Sequence, residues 1–406
     1  MQKLLPRAAK QVPVYRAWWN EHKGIANDRL ENWPILEKES IRRAPESFVE
    51  EGLDLSKFLC EQTSGSTGTP LKLWWSRETT HKWYALFEAR WRLWNGVSRK
   101  SRWAILGGQL IVPVSQTKPP FWVSNMAFQQ LYLSSYHLKP EWIGYYLDAI
   151  EQHRAEYLWG YTSALVAIAR GAIEANRRLP GIRVVLTNGE PLEQQDRELL
   201  QAAFNCPVRE TYGLSEIVTA ASECTAGTLH SWPEVGVIEV LDENNRPVPP
   251  GTVGDLVCTG LLNSDMPLIR YRTGDRAALA PPGTLCSCGR ALPIMRCVEG
   301  RSDDVLYTTD GRSVGRLDPV LKSDLPIVES QIIQEATNRI RFRYVAAEGF
   351  TDLTEKRITE QLQQRLGKVQ VVWERMDYIP RSANGKLRTV LCTIPDKERL
   401  GVPPLA

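Results

Sequence analysis

Two hydrophobic patterns alternate along the first half of the chain. In one, apolar residues recur every three or four positions, as on one face of a helix, and in the other they form short β-rich runs. The first pattern predicts helices at residues 78–94, 141–153, 163–178 and 193–204. The second places short extended or apolar runs at residues 71–75, 103–114, 157–159 and 183–187. This alternation predicts an α/β sandwich whose ligands bind at the carboxyl ends of the strands.

The second half of the chain is richer in β structure. Residues 236–241, 254–259 and 269–273 are predicted to be strands of an antiparallel sheet. Further on, short strands at residues 331–334, 339–344 and 369–373 enclose one amphipathic helix at residues 352–366. We therefore expect an α/β protein with two domains. Residues 1–302 would form a large domain of mixed α/β sheets sandwiched with helices plus a β-rich subdomain, and residues 303–406 a small α+β domain.

Composition narrows the class of protein. A chain of 406 residues exceeds one ordinary core, and 43% hydrophobic with 24% charged residues is typical of a soluble globular protein. A net charge of +3 is too small to indicate a nucleic-acid partner, so the fourteen tryptophans are expected in the core. No apolar stretch has the length of a signal peptide core or a membrane span, which predicts a cytoplasmic protein without a membrane partner.

One segment combines hydroxyl groups and glycines at high density. It consists of Thr63, Ser64, Gly65, Ser66, Thr67, Gly68 and Thr69, closed by Pro70. Glycines let backbone N–H groups converge, and hydroxyls add donors, so the composition suits the triphosphate of ATP. It is not a Walker A loop, because no Gly-Lys-[Ser/Thr] sequence follows. An ordinary Ser/Gly surface turn is the alternative.

Cysteine spacing suggests a metal site. Cys224, His230, Cys286 and Cys288 could form a closed tetrahedral zinc site, which would be structural because no position remains for water. Unpaired thiols are the alternative interpretation. The remaining cysteines lie in apolar or strand contexts and are predicted to be core residues: Cys60, Cys206, Cys258, Cys297 and Cys392.

Six motifs occur in the order found in the adenylate-forming superfamily, which the chain resembles. They are the loop at 63–70, Asn-Gly-Glu-Pro at 188–191, Glu-Thr-Tyr-Gly-Leu-Ser-Glu at 210–216, Tyr-Arg-Thr-Gly-Asp at 271–275, Gly-Arg-Ser-Asp-Asp at 300–304 and Pro-Arg-Ser-Ala-Asn-Gly-Lys at 380–386. The segments at 133–138 and 160–165 make the chain similar to the phenylacetate-CoA ligase group and its CapK-like branch. Acyl-CoA synthetases of this superfamily convert a carboxylic acid and ATP to an acyl adenylate and pyrophosphate.

The resemblance implies a role for each motif. The loop residues, with Thr67 as a catalytic member, would bind the β- and γ-phosphates, and Glu216 would hold Mg²⁺. Asp275 would accept hydrogen bonds from the ribose hydroxyls, and Arg301 would approach the sugar or a phosphate. Lys386 would offset charge at the reacting carboxylate and α-phosphate, carried there by a mobile C-terminal domain with its hinge at Asp303. The other nucleotide-binding positions would be Gly189, Glu190, Thr211 and Tyr212, with the Tyr212 ring on adenine.

The resemblance also implies an acyl pocket that fits an aromatic or short acid. Its walls would be Tyr136, His137, Tyr161, Ser163, Asn188 and Gly213. His137 is either a general base or a packing residue. The expected partners are a small carboxylic acid, CoA or another acceptor, and a second copy of the chain in a homodimer, with no nucleic acid. Three functions stay open: an AMP-forming CoA ligase, an adenylating enzyme with an amine or carrier-protein acceptor, and a non-catalytic nucleotide-binding scaffold.

Overall fold

The computed structural model describes residues 1–62, 71–109, 111–113, 116–301, 306–309, 313–314, 325–380 and 388–395. The chain divides into two compact units. One comprises Met1–Thr273 and Ala277–Val298, and the other comprises Gly274–Arg276 and Glu299–Ala406.

The helices predicted at residues 141–153, 163–178, 193–204 and 352–366 are present, the first three with small differences in their bounds. The described α-helices are α1 Leu4–Gln11, α2 Pro13–Glu21, α3 Lys38–Arg43, α4 Arg77–Phe87, α5 Ile143–His153, α6 Thr162–Glu174, α7 Gln194–Phe204 and α8 Asp352–Leu366. The strands up to residue 301 are β1 Leu59–Gln62, β2 Lys72–Trp75, β3 Trp103–Gly107, β4 Trp122–Asn125, β5 Gln130–Ser134, β6 Tyr157–Tyr161, β7 Val184–Asn188, β8 Val208–Gly213, β9 Ala220–Glu223, β10 Leu229–Ser231, β11 Gly236–Leu241, β12 Gly254–Gly260, β13 Tyr271–Leu279 and β14 Met295–Arg301. The later strands are β15 Leu306–Tyr307, β16 Ser313–Val314, β17 Ile327–Ala336, β18 Arg339–Ala346, β19 Gln370–Arg375 and β20 Val390–Cys392.

An eight-stranded sheet forms the centre of the first unit. Its order is β10-β9-β8-β7-β6-β3-β5-β4, and β5, β3, β6, β7 and β8 run parallel. All five residues of β3 are buried, as expected for a parallel strand covered on both faces. Gly160 is required by this packing, because a Cβ there would lie 2.4 Å from the carbonyl oxygen of Leu106 on β3. The α/β prediction is confirmed.

The N-terminal helices of the first unit are tied to the start of β13. Leu36 N–H donates to the carbonyl oxygen of Arg270 at 2.9 Å, and Arg272 N–H donates to that of Leu36 at 3.0 Å. The Tyr15 hydroxyl donates to the carbonyl of Pro267 at 3.0 Å. The segment before residue 60 is thus fixed by backbone pairing, which places α3 beside the strand.

The C-terminal unit has its own core. Its four-stranded sheet has the order β19-β18-β17-β20, with β17 and β18 antiparallel and the two outer pairs parallel. Ile358 and Leu362 of α8 are fully buried in the same hydrophobic cluster as Phe342 of β18. Thr351 and Thr354 form a reciprocal capping box at the start of α8, and the helix has the predicted bounds.

The structure corrects two sequence predictions. The helix expected at 78–94 ends at Phe87 and continues as a π-helical turn, Glu88–Arg92, and a short 3₁₀ turn. In this wider turn Arg92 is buried and its Nε donates to the Tyr157 hydroxyl at 2.7 Å, so a tertiary contact holds the irregular geometry. Cys60, expected in the core, is exposed because it lies on β1, where the preceding Leu59 is exposed too, whereas Leu73, Trp74 and Trp75 of the partner strand β2 are buried.

Within the described residues, no helix combines the length and the apolar character needed to cross a bilayer.

Candidate active site

The carboxyl ends of three neighbouring parallel strands bring several predicted site residues together. Tyr161, the last residue of β6, is paired with Asn188, the last residue of β7. On the next strand the Thr211 hydroxyl donates to the carbonyl of Thr187 at 2.6 Å. These strand ends form the edge at which α/β sheets bind ligands.

Glu190 connects the turn after β7 to the start of α6. Its carboxylate accepts the Ser163 backbone N–H at 2.7 Å and the Ser163 hydroxyl at 3.1 Å. The Thr162 hydroxyl donates to the Glu190 carbonyl at 3.2 Å. Gly189 adopts a positive φ of 71°, which a glycine tolerates without strain. The Glu190 carboxylate therefore satisfies a free donor at the N-terminus of α6 and shapes the turn.

Glu216 is a buried carboxylate with two described partners. The Tyr271 hydroxyl donates to its Oε1 at 2.8 Å, and Lys38 Nζ lies 3.4 Å from the same oxygen. Ile217, the next residue, has a positive φ of 50°, so the chain turns sharply after Glu216. A fixed carboxylate oxygen at the strand-end edge fits the hard oxygen ligands that Mg²⁺ prefers.

The predicted acyl-pocket residues have contrasting surroundings. His137 is 1% exposed, its Nδ1 lies 2.7 Å from the Ser134 hydroxyl, and its ring stacks on Phe121. Such burial is typical of a packing residue. The Asn188 Oδ1 atom is buried and has no hydrogen-bond partner within the described part of the chain, as expected of a group that faces a ligand site.

Trp83 of α4 lies beside one of the predicted pocket residues, although no sequence motif assigned it to the site. A Cβ placed on Gly213 would lie 3.7 Å from Cη2 of its indole ring, so the ring lies directly beside this glycine. Trp83 itself is 9% exposed and packs 5.7 Å, between ring centroids, from Trp232. The tryptophans were expected in the core, but the sequence did not indicate which strand end Trp83 meets.

Of the remaining residues predicted to bind the nucleotide, only some lie in the described part of the chain. Tyr212 is half-buried and packs against the main core, and Asp275 is buried on β13 after Gly274, whose φ is 83°. Arg301 ends β14, and its side chain and that of Tyr136 lie outside the described residues. The same holds for the whole of Asp303 and Lys386 and for the loop Thr63, Ser64, Gly65, Ser66, Thr67, Gly68 and Thr69.

A cysteine–histidine cluster lies at the end of the large sheet. One ligand atom from each of Cys224, His230, Cys286 and Cys288 lies within 4.8 Å of the others. The Cys224 and Cys286 sulfurs are 3.8 Å apart, and Cys288 Sγ is 3.4 Å from His230 Nε2. A tetrahedral zinc ion with ordinary bond lengths separates two sulfurs by about 3.8 Å and a sulfur from a nitrogen by about 3.6 Å. A disulfide needs about 2.05 Å between sulfurs, so the spacing fits a metal better than a bond.

Neighbouring groups prepare the cluster for metal. His230 Nδ1 lies 3.2 Å from the Leu292 carbonyl, an orientation that leaves Nε2 directed at the cysteines. A hydrogen bond from Thr228, supplemented by the Cys288 backbone N–H, lowers the pKa of Cys286 to about 6. Burial has the opposite effect on Cys224, because it raises the pKa of that thiol.

Comparisons with known proteins identify the families to which two segments of the chain are similar. Residues 122–264 match the family model described as AMP-binding enzyme, and residues 306–392 match that of the CapK C-terminal domain. Protein CapK of Staphylococcus aureus is 27% identical over 92% of this chain and 82% of its own length. A phenylacetate-coenzyme A ligase of Thermus thermophilus is 29% identical over 52% of this chain and 54% of its own length.

Solved structures show the same fold. A 2-hydroxyisobutyryl-CoA ligase in its postadenylation state has a TM-score of 0.73 at 18% identity, covering 98% of this chain and 88% of the other. An amide bond synthetase from Marinactinospora thermotolerans has a TM-score of 0.55 at 16% identity, covering 83% and 69%. These structures show the fold, and the family follows from the two family models and the curated relatives, in agreement with the six ordered motifs. The chain is an adenylate-forming enzyme of the phenylacetate-CoA ligase group and belongs to its CapK-like branch.

Proposed function

We propose that the protein activates a small aromatic or short carboxylic acid with ATP, releasing pyrophosphate, and then transfers the acyl group to the thiol of CoA. A carboxylate is a poor acyl donor, so it must first attack the α-phosphate to form an acyl adenylate. The protein's contribution to such a step is mainly positioning and neutralisation of charge.

The single observation that supports this proposal most strongly is the position of Glu216. A buried carboxylate follows β8 at the ligand-binding edge of the sheet, three residues after Gly213 and beside a tyrosine hydroxyl donor. Mg²⁺ held by Glu216 would neutralise charge on the ATP phosphates. The hydroxyls of Ser64, Ser66, Thr67 and Thr69 would donate to the β- and γ-phosphates that leave as pyrophosphate.

The other residues would orient the two substrates. Tyr212, with the Gly189 turn and Thr211, would bind the adenosine, and Asp275 with Arg301 would bind its ribose. Asn188 and Gly213 would bound the acyl group, together with Tyr136, His137, Tyr161 and Ser163. Lys386, in a C-terminal domain of residues 303–406, would act in the adenylation step.

A second acceptor is supported by one comparison. The structural neighbour that is an amide bond synthetase shares the fold, so an amine is a chemically consistent alternative to the CoA thiol. A carrier-protein thiol is the third acceptor of this class.

We also propose that Cys224, His230, Cys286 and Cys288 hold a structural Zn²⁺. All four positions of a tetrahedron are filled by the protein, which leaves none for substrate or water. The ion would join β10 and the end of β9 to the segment that carries Cys286 and Cys288.

Pyrophosphate exchange into ATP, measured with a panel of aromatic and short acids, tests the adenylation proposal. We expect exchange that depends on one class of acid. Mass spectrometry of the product with CoA, an amine or a carrier protein then identifies the acceptor. ATP binding without exchange for any acid would instead indicate a nucleotide-binding scaffold.

A further inference from the structure

Glu216 is paired with a lysine that none of the sequence motifs contains. Lys38 is the first residue of α3, and its Nζ lies 3.4 Å from Glu216 Oε1. The side chain of Glu216 is 6% exposed and that of Lys38 is 26% exposed. Among the described residues, Lys38 is the cation that forms an ion pair with this carboxylate.

The position of Lys38 is set by contacts on both sides of its backbone. Leu36 forms an isolated parallel bridge with Tyr271, the residue whose hydroxyl binds Glu216. Glu37 accepts a 3.0 Å hydrogen bond from Arg272 Nε in an ion pair. The N-terminal segment is therefore anchored at residues 36 and 37, and the ammonium group is delivered next to Glu216.

The charge of Lys38 affects how Glu216 can bind a metal ion. A buried carboxylate that lacks an opposite charge is unfavourable, so in the nucleotide-free enzyme Lys38 compensates Glu216. A divalent cation that binds Glu216 would meet the ammonium at the same oxygen. Two positive charges so close together repel each other strongly in a partly buried site.

We propose that Lys38 is a built-in counter-ion of Glu216 that yields to the divalent cation only when that cation arrives with ATP. This inference rests on the proposed role of Glu216 as the magnesium carboxylate. It follows that Lys38 suppresses binding of bare metal to the nucleotide-free enzyme. The negative charge of ATP offsets the repulsion, so metal occupancy becomes dependent on nucleotide.

The experiment is a titration of the full-length, nucleotide-free protein with Mn²⁺, monitored by electron paramagnetic resonance. Replacing the cation in Lys38→Met and Lys38→Gln should increase the affinity for Mn²⁺ by about tenfold, which corresponds to about 1.4 kcal/mol. Lys38→Arg keeps the charge and should bind Mn²⁺ as weakly as the wild type. Lys82→Met removes a lysine from an exposed pair with Glu78 and serves as the matched control. Circular dichroism confirms that each variant is folded.

The added substitution Glu216→Gln separates the two proposals. Loss of the gained Mn²⁺ binding in Lys38→Met/Glu216→Gln would support the counter-ion role. Equal Mn²⁺ affinity in the wild type, Lys38→Met and Lys38→Gln would overturn the counter-ion role. In that case the proposed function would still stand if the single variant Glu216→Gln lost pyrophosphate exchange in a way that depends on the metal concentration. An unchanged metal dependence of exchange in Glu216→Gln would overturn both.

Discussion

The Tyr271 hydroxyl donates a 2.8 Å hydrogen bond to Oε1 of Glu216, and Tyr271 is fully buried. This contact joins the start of β13 to the turn after β8. It restricts the carboxylate that we propose to hold the magnesium ion, because a hydrogen bond to a charged group is both short and directional.

Tyr271→Phe removes this donor and keeps the ring. We expect the Mg²⁺ concentration for half-maximal pyrophosphate exchange to rise about three- to tenfold, since the carboxylate is less firmly held. The free energy of unfolding should fall by about 1.5–3 kcal/mol. Tyr15→Phe, which removes the buried hydroxyl bonded to Pro267, is the control that loses stability without a change in metal dependence. Equal metal requirements in Tyr271→Phe and wild type would contradict the positioning role.

Lys386→Ala tests the proposed catalytic lysine. Because its ammonium would act on the charge that develops during adenylation, pyrophosphate exchange should fall by about 100-fold or more. Thioester formation from a preformed acyl adenylate should fall much less. Lys368→Ala, an exposed lysine in the C-terminal unit, is the matched control. Equal losses in both half-reactions would refute this assignment.

Cys288→Ser tests the zinc proposal. Removing one of four ligands should lower the zinc content from about one ion per chain to a small fraction, and the melting temperature should fall, because metal binding and folding are coupled. Elemental analysis and a thermal melt measure the two effects. Cys60→Ser, which changes an exposed cysteine outside the cluster, should retain both values. A wild-type protein purified with far less than one zinc per chain would refute the site.

Glu210 gives a prediction about pH. Burial, with a smaller contribution from the Glu223 charge, raises its pKa to about 7. The folded state then holds this proton more tightly than the unfolded state, so the stabilisation is complete below about pH 4.5 and is lost as pH rises through about 7. We expect Glu210→Gln to reduce the loss of unfolding free energy between pH 5 and 8 by about 1–3 kcal/mol. Denaturant titrations at several pH values measure it, and identical pH profiles would contradict it.

Trp83→Phe tests whether this ring limits the acyl pocket beside Gly213. A smaller ring should enlarge the pocket. The kcat/KM for a larger acid, divided by that for a smaller acid, should then rise by about tenfold or more, a change typical of one methylene group in a hydrophobic pocket. The exchange assay with two acids of different size measures this ratio. Trp373→Phe, in the core of the C-terminal unit, should leave the ratio unchanged. The same ratio in Trp83→Phe and wild type would place the pocket elsewhere.

Local periodicity was enough to predict much of the architecture. The helix Asp352–Leu366 and the strand Gly236–Leu241 have the predicted bounds, since their apolar positions repeat with one clear period. The motif order was likewise sufficient to indicate the family. Both can be read along the chain without knowing which distant residues touch.

Contacts between distant residues decided the rest. The π-helical turn at Glu88–Arg92 depends on the hydrogen bond from Arg92 to Tyr157, and no local sequence pattern predicts that bond. In the same way, nothing in the sequence around Lys38 indicates Glu216, 178 residues later. The sequence by itself determined most of the helices and strands and indicated the family through the order of its motifs. Only the tertiary structure decided which cation faces Glu216, the carboxylate that we propose to hold magnesium, because that position depends on backbone pairing between segments far apart in the chain.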